Sequence, residues 1–340
     1  MIGEYRMTDF YSRRQFINKS GLSFAAAGAA MAFSGCSMSE ETQVMPKFQI
    51  SLAEWSIHRH LFGPNRTNFA NDTDKRLAYR EGLGRYLKGD LTNLDFAQTA
   101  RRKFDIGAVE YVNVFFFNQA RDKKYLSEMK TRADGEGVKS LLIMCDAEGA
   151  LGDPNPEERT QSIERHYKWV EAAAFLGCHS IRVNAQSAGT WDEQRELAAE
   201  GLVRLAEYAD TYDINVIVEN HGGISSNGKW LASVMETANH RRVGTLPDFG
   251  NFTISKTEVY DKYVGVKELM PFAKAVSVKS FNFDENGNEP DIDFDRLLKI
   301  VANAGYTGYL GIEYEGDNLS EFEGIRKTKA LLNRIIAGTD

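Results

Sequence analysis

Cysteine is scarce in this chain: three in 340 residues, with no CxxC pair and no metal-ligand spacing. That excludes a disulfide framework and a thiolate zinc site. Cys145 and Cys178, in or beside apolar runs, read as buried free thiols, with a disulfide between them as the alternative. Positive charge is also in deficit, 41 Lys and Arg against 48 Asp and Glu, for a net charge of −7 and a pI near 5.6. A nucleic-acid binder carries a basic stripe, so the expected partner is a small neutral or polar molecule. The body of the chain has no apolar run of twenty residues, which argues against a membrane-spanning segment there. There is no solenoid repeat and no Pro-rich linker, so one catalytic domain is expected, and 42% hydrophobic content is ample for one core.

The N-terminal segment has its own character. Ser12-Arg13-Arg14-Gln15-Phe16, followed by a Gly-, Ala-, Phe- and Met-rich stretch from Gly21 to Phe33, resembles a Tat export signal. Phe33-Ser34-Gly35-Cys36 looks like a lipoprotein cleavage box, with Cys36 as the acylated first residue of the mature protein. The expected organisation is a signal over 1–35, a short linker over 36–46 and a TIM barrel over 47–340. A periplasmic location follows, with membrane contact only through the N-terminal lipid.

From residue 48 onward, short β-branched runs alternate with helical stretches, the pattern of a parallel α/β sheet. The runs are Phe48 to Leu52, Ala108 to Val112, Ser140 to Cys145, Ser180 to Asn184, Asn215 to Glu219, Val243 to Leu246, Ala275 to Val278 and Tyr309 to Ile312. Amphipathic segments lie between them, such as Glu157 to Leu176, Glu193 to Tyr212, Phe294 to Ala304 and Glu321 to Ile336. Eight units of roughly thirty to forty residues predict an α/β fold of the (β/α)8 TIM barrel type. An open doubly wound sheet would want a Gly-rich turn after its first strand, and here Ala53-Glu54-Trp55-Ser56-Ile57-His58 follows. The first connection is the longest, and its stretch Ile57 to Asn93 reads as a loop with a helical part over the barrel mouth.

Side chains that do chemistry project from the C-terminal ends of barrel strands, and acids recur there. The fifth run ends Val218-Glu219-Asn220-His221, the sixth continues Pro247-Asp248-Phe249-Gly250-Asn251, and the eighth reads Ile312-Glu313-Tyr314-Glu315. Acids at the ends of apolar runs are costly to bury unless they are paired, protonated or bound to a cation. Something positive must therefore sit among them. Lys279, of the same parity as Ser277 in the seventh run, should point inward and can serve as that cation. Arg182 and Asn184, which alternate with apolar residues, should face the mouth and contact a substrate, a structural ion pair being the other reading of Arg182. Glu110, Asp146 and His58 are further candidates for substrate contact, with helix capping or rim salt bridges as alternatives for the two acids. The loop Gly222 to Gly228 offers a weak backbone cradle for an anion, and Asp284 to Glu289 reads as a solvated turn.

These strings resemble strands five, six and eight of the xylose isomerase-like sugar phosphate isomerases and epimerases, and the resemblance covers nearly the whole mature chain. It implies that Glu219 and Glu313 ligate a divalent metal and exchange protons with the substrate, and that Asp248 is a further ligand. The chain departs from the family pattern at two places. The seventh strand carries Ser277 where the family commonly has a metal-binding His, and Asn251 stands where a second His often follows the Asp. His221, on the same side of an extended strand as Glu219, is the candidate for the missing nitrogen. A mostly oxygen donor set favours Mg, Mn or Ca over Zn. The implied activity is isomerisation or epimerisation of an unphosphorylated sugar or keto-sugar through an enediolate. A keto-sugar lyase or hydratase and a non-catalytic sugar-binding lipoprotein are the alternatives. An endonuclease on the same barrel would need a His-rich metal cluster and a basic groove, and neither is present.

Overall fold

The computed structural model describes residues 47–63, 84 and 86–338. They belong to a compact unit spanning Val44–Asp340. The expected export segment, Cys36 and the linker lie outside the described residues, as does most of the stretch expected to cover the mouth.

Eight parallel strands form one sheet: β1 Gln49–Ala53, β2 Ala108–Val112, β3 Lys139–Met144, β4 Ser180–Val183, β5 Asn215–Glu219, β6 Val243–Leu246, β7 Val276–Ser280 and β8 Tyr309–Tyr314. Apart from β6 and β7, each pairs with its sequence neighbours, and β8 pairs with β1, so the order runs β6-β5-β4-β3-β2-β1-β8-β7. Two isolated parallel bridges, Thr245↔Ala273 and Asp248↔Ser277, join β6 to the segment carrying β7 and close the ring. The fold is therefore the expected (β/α)8 TIM barrel. Its helices start at side-chain caps: Asn155 opens Pro156–Leu176, Thr190 opens Trp191–Asp210 with a capping box to Glu193, and Ser320 opens Glu321–Ala337 in the same way. No described helix is long and apolar enough to cross a membrane. Cys145 and Cys178 are buried and free.

The last two strands run further than their apolar runs suggest. β7 continues through Lys279 to Ser280, and β8 through Glu313 to Tyr314, in register with Glu313 opposite Lys279. A polar residue is expected to end a buried strand. Here the charges on neighbouring strands meet each other, so the ladder continues across them.

Inside the barrel one carboxylate takes the room of a missing side chain. Glu110 lies within β2, fully buried, and accepts a 2.6 Å hydrogen bond from Ser51 Oγ on β1. Its carboxyl group then reaches across to β8, where a Cβ on Gly311 would lie 2.5 Å from Glu110 Oε1. Burial, then the charges of Glu313 and Glu219, push Glu110 up to about 7 against the pull of Ser51. Glu110 is thus neither a cap nor a rim salt bridge: it packs the interior beneath Glu313. Replacing Gly311 by Ala should cost about 1–3 kcal/mol, the usual scale for overpacking a filled core. Glu110→Ala in the same chain should recover much of that loss, and denaturant unfolding of the two single variants and the double variant reads the coupling directly.

Candidate active site

The acids converge as expected at the C-terminal mouth. Glu219 ends β5, Asp248 follows β6 and Glu313 lies near the end of β8, each at most 5% exposed, and each offers an oxygen within 4.8 Å of the others. Among the described residues they are the one cluster of metal-ligand type, and the ring of His221 stays outside it.

Two cations hold this group together. Lys279, buried and pointing inward, places its ammonium 3.3 Å from Glu313 Oε1, 3.7 Å from Glu315 Oε1 and 3.9 Å from Asp248 Oδ2. On the other side, Arg182 Nε lies 2.8 Å from Glu219 Oε2, and its Nη1 donates to Asp146 Oδ1 at 2.8 Å. Arg182 is therefore both the ion pair and the mouth-facing group that its sequence position suggested.

The two positions where imidazoles were missed turn out to be hydrogen-bonding links. Ser277 Oγ reaches Asp248 Oδ2 at 2.7 Å and Glu313 Oε2 at 3.1 Å. Asn251 Nδ2 donates to Glu219 Oε1 at 2.8 Å, while its Oδ1 accepts from Lys279 at 3.3 Å. The loop after β6 is held for this purpose. The backbone N–H groups of Gly250 and Asn251 both donate to Asp248 Oδ1, and Asn220 clamps the backbone of Asp248 through both ends of its amide. Sequence reading registered Ser277 and Asn251 only as lost ligands. Their spacing from Asp248 and Lys279 was the signal for their actual role.

The electrostatics separate the two outer acids. Burial raises Glu219 to about 7 despite Arg182, with the neighbouring Glu313 adding to the rise. Asp248 is likewise raised to about 7 by burial, against Lys279. Burial acts on Glu313 too, but Lys279 and then Arg182 outweigh it and hold its carboxyl below the ordinary value. Lys279 and Arg182 both stay protonated, because the surrounding carboxylates more than offset desolvation.

The remaining candidates fall in two places. Asp146 and Asn184 join the site through Arg182: Asn184 Nδ2 and Arg182 Nη1 share Asp146 Oδ1, and Asn113 grips the Asp146 backbone at both N–H and C=O. Burial works against ionising Asp146, but Arg182, His221 and Asn184 prevail and hold it down to about 2. His221 stands at the rim with part of its surface exposed, while packing around its ring lowers its pKa by desolvation, followed by the charge of Arg182. His58 is buried elsewhere, stacked on Trp55 with Nδ1 2.6 Å from the Trp55 carbonyl and 3.3 Å from Glu321. At the start of the Gly222 to Gly228 loop two backbone N–H groups donate to the loop's own serines, His221 to Ser225 and Gly222 to Ser226. Asp284 closes a turn by accepting from Asn286 and Asn288.

The three acids satisfy the size requirement of a metal site. Oxygens bonded at about 2.0–2.6 Å to Mg or Ca stand no more than roughly 4–5 Å apart across the ion, which the 4.8 Å limit here matches. All three donors are hard carboxylate oxygens, so the residues fit a divalent cation of that class.

A model of the family described as xylose isomerase-like TIM barrel matches residues 97–335. Over 75 residues the chain is 33% identical to a C-glycoside deglycosidase alpha subunit from Arthrobacter globiformis, a match covering 20% of this chain and 21% of that one. Over 148 residues it is 26% identical to an inosose dehydratase from Clostridium botulinum, covering 37% and 49%. The chain thus spans about a fifth to a half of the length of these curated relatives. A 3-keto-D-glucoside 4-epimerase from E. coli superposes with a TM-score of 0.57 at 16% identity, over 71% of this chain and 94% of that one, a likeness of fold.

Arg182 favours the ionised form of Glu219, so removing it must raise the Glu219 pKa above 7. An Arg182→Met variant should move the midpoint of the Glu219 carboxyl upward in a carbon-detected NMR titration, and an unmoved or lowered midpoint would contradict the assignment. Leaving Glu219 and Asp146 without their shared cation should also cost about 3–5 kcal/mol of stability, the range for breaking a buried pair.

Proposed function

We propose that this chain, which belongs to the xylose isomerase-like TIM barrel family, acts on keto-sugars by moving a proton at a carbon beside the carbonyl. The observation that carries this reading is the pair Glu219 and Glu313: two buried carboxyls within 4.8 Å, one raised to about 7 and the other lowered, with Lys279 against the second. Divergent environments on neighbouring carboxyls mark an acid and a base. Glu313, held ionised by Lys279 and Ser277, removes the proton. Glu219, whose carboxyl burial raises to about 7, returns one to the other face of the intermediate. Lys279, set against Glu313 and Asp248, stabilises the developing enolate oxygen, a group that needs a fixed positive charge when water is excluded. A divalent cation held by Glu219, Asp248 and Glu313, with Mg, Mn or Ca suited better than Zn to oxygen donors, would supply further polarisation of the substrate carbonyl.

Reprotonation at the same or the neighbouring carbon gives epimerisation or isomerisation. The similarity to a dehydratase and a deglycosidase subunit favours a second outcome on the same machinery, in which the enolate expels a substituent from the β-carbon. An unphosphorylated substrate fits the absence of a P-loop signature and the serine-bonded start of the Gly222 loop.

Two measurements test the reading. Incubated with 3-keto-glucosides in D2O, the protein should incorporate deuterium beside the carbonyl. Glu313→Gln should lower that exchange at least 10²-fold, on the scale of a lost general base, with the fold retained. Undiminished exchange in the variant would remove Glu313 from the mechanism. Elemental analysis with EDTA treatment then separates the two cations: bound metal and EDTA-sensitive exchange assign polarisation to the ion, while EDTA-insensitive exchange abolished in Lys279→Met assigns it to the ammonium.

The sequence from Ser12 to Cys36 supports a periplasmic, lipid-anchored location. Cys36→Ala should release the protein from the membrane fraction of the host cell, and a variant that stays membrane-bound would overturn the anchor.

A further inference from the structure

One polar atom next to the acid network has no partner. The Asn184 amide has its orientation forced: Nδ2 donates to Asp146 Oδ1, a carboxylate that can only accept, so Oδ1 must point the other way. That oxygen is enclosed and meets no hydrogen-bond donor among the described residues. An enclosed acceptor without a donor is costly, and native proteins rarely leave one without a reason. The neighbourhood adds a second sign. Arg182 Nε and Glu219 Oε2, 2.8 Å apart, are each enclosed and lack an aligned hydrogen bond, so this side of the mouth holds polar atoms still short of partners.

We infer that Asn184 Oδ1 accepts a hydrogen bond from a substrate hydroxyl next to the reacting carbon, and that Asp146 is a positioning residue that fixes the amide for this purpose. The inference rests on the keto-sugar reading above and narrows it: the substrate is a polyhydroxylated keto-sugar with a free hydroxyl adjacent to the carbon served by Glu219. The chain of contacts supports that adjacency. Asn184 and Arg182 share one oxygen of Asp146, and Arg182 in turn touches Glu219. Asp146 cannot drift, because Asn113 holds its backbone at both N–H and C=O. A site built to accept from a hydroxyl rejects the analogue lacking it, since the acceptor is then left buried and unpaired.

The test is binding in the absence of turnover. On the Glu313→Gln background, calorimetry compares methyl 3-keto-β-D-glucoside with its 2-deoxy and 4-deoxy counterparts. The background protein should prefer the full sugar over one of the deoxy probes by about ten-fold or more, the scale of one hydrogen bond. Adding Asn184→Ala should bring that ratio close to one, and adding Asp146→Asn, which frees the amide to turn over, should reduce it with circular dichroism unchanged. A ratio preserved in Asn184→Ala overturns the inference, as does a background protein that binds all three probes equally. Either result leaves the proposed function standing if the wild-type chain exchanges deuterium. A wild-type chain that neither binds nor exchanges any probe overturns the proposed function and the inference together.

Discussion

Everything at the mouth of this barrel answers to one constraint, the neutralisation of carboxylates brought together out of water. Glu219, Asp248 and Glu313 are each at most 5% exposed, and they are kept there by cations and donors from β4, β7 and the loop after β6. Lys279 and Arg182 supply the charge, one on each flank, while Ser277 and Asn251 supply the hydrogen bonds that tie the acids to one another. The network is a circuit running from Asp146 through Arg182, Glu219, Asn251, Lys279 and Glu313 to Ser277 and Asp248. In such a circuit each group fixes the ionisation of the next, which is how chemically identical carboxyls come to hold opposite pKa shifts.

The architecture was legible in the sequence because it depends on period and alternation. Eight β-branched runs and the helices between them sufficed for the barrel, and parity along the seventh run was enough to turn Lys279 inward. What period does not reveal is depth. Strand tilt and stagger decide the level at which a residue stands in the barrel, so Glu110 was read as a substrate-contact or rim group when it lies inside, across β1 from Gly311. Reach is equally hidden. His58 and His221 stand near the right strand ends, yet one is turned toward Trp55 and Glu321, and the other stays at the rim outside the acid group.

The two substituted positions, Ser277 and Asn251, carry a related lesson. Read singly, a serine or an asparagine in place of histidine is a subtraction. Read with its surroundings, each is a small polar group short enough to sit between two carboxylates, or between a carboxylate and an ammonium, where an imidazole would be bulkier. Each of the two positions thus carries hydrogen bonds of its own to the charged groups around it. The site is a coherent polar network built largely from oxygen.

The join between β6 and β7 gives the site its mechanical character. The other seams of the barrel are strand ladders, whereas this one consists of the isolated bridges Thr245↔Ala273 and Asp248↔Ser277. One of those bridges is made by the residues that hold the centre of the acid network. Three backbone hydrogen bonds span the join, from Lys274 N–H to the Thr245 carbonyl, from Ser277 N–H to the Pro247 carbonyl and from Phe249 N–H to the Ser277 carbonyl. The barrel is thus closed by the same short stretches of chain that carry Asp248 and Ser277, so the hoop and the charge network share their residues.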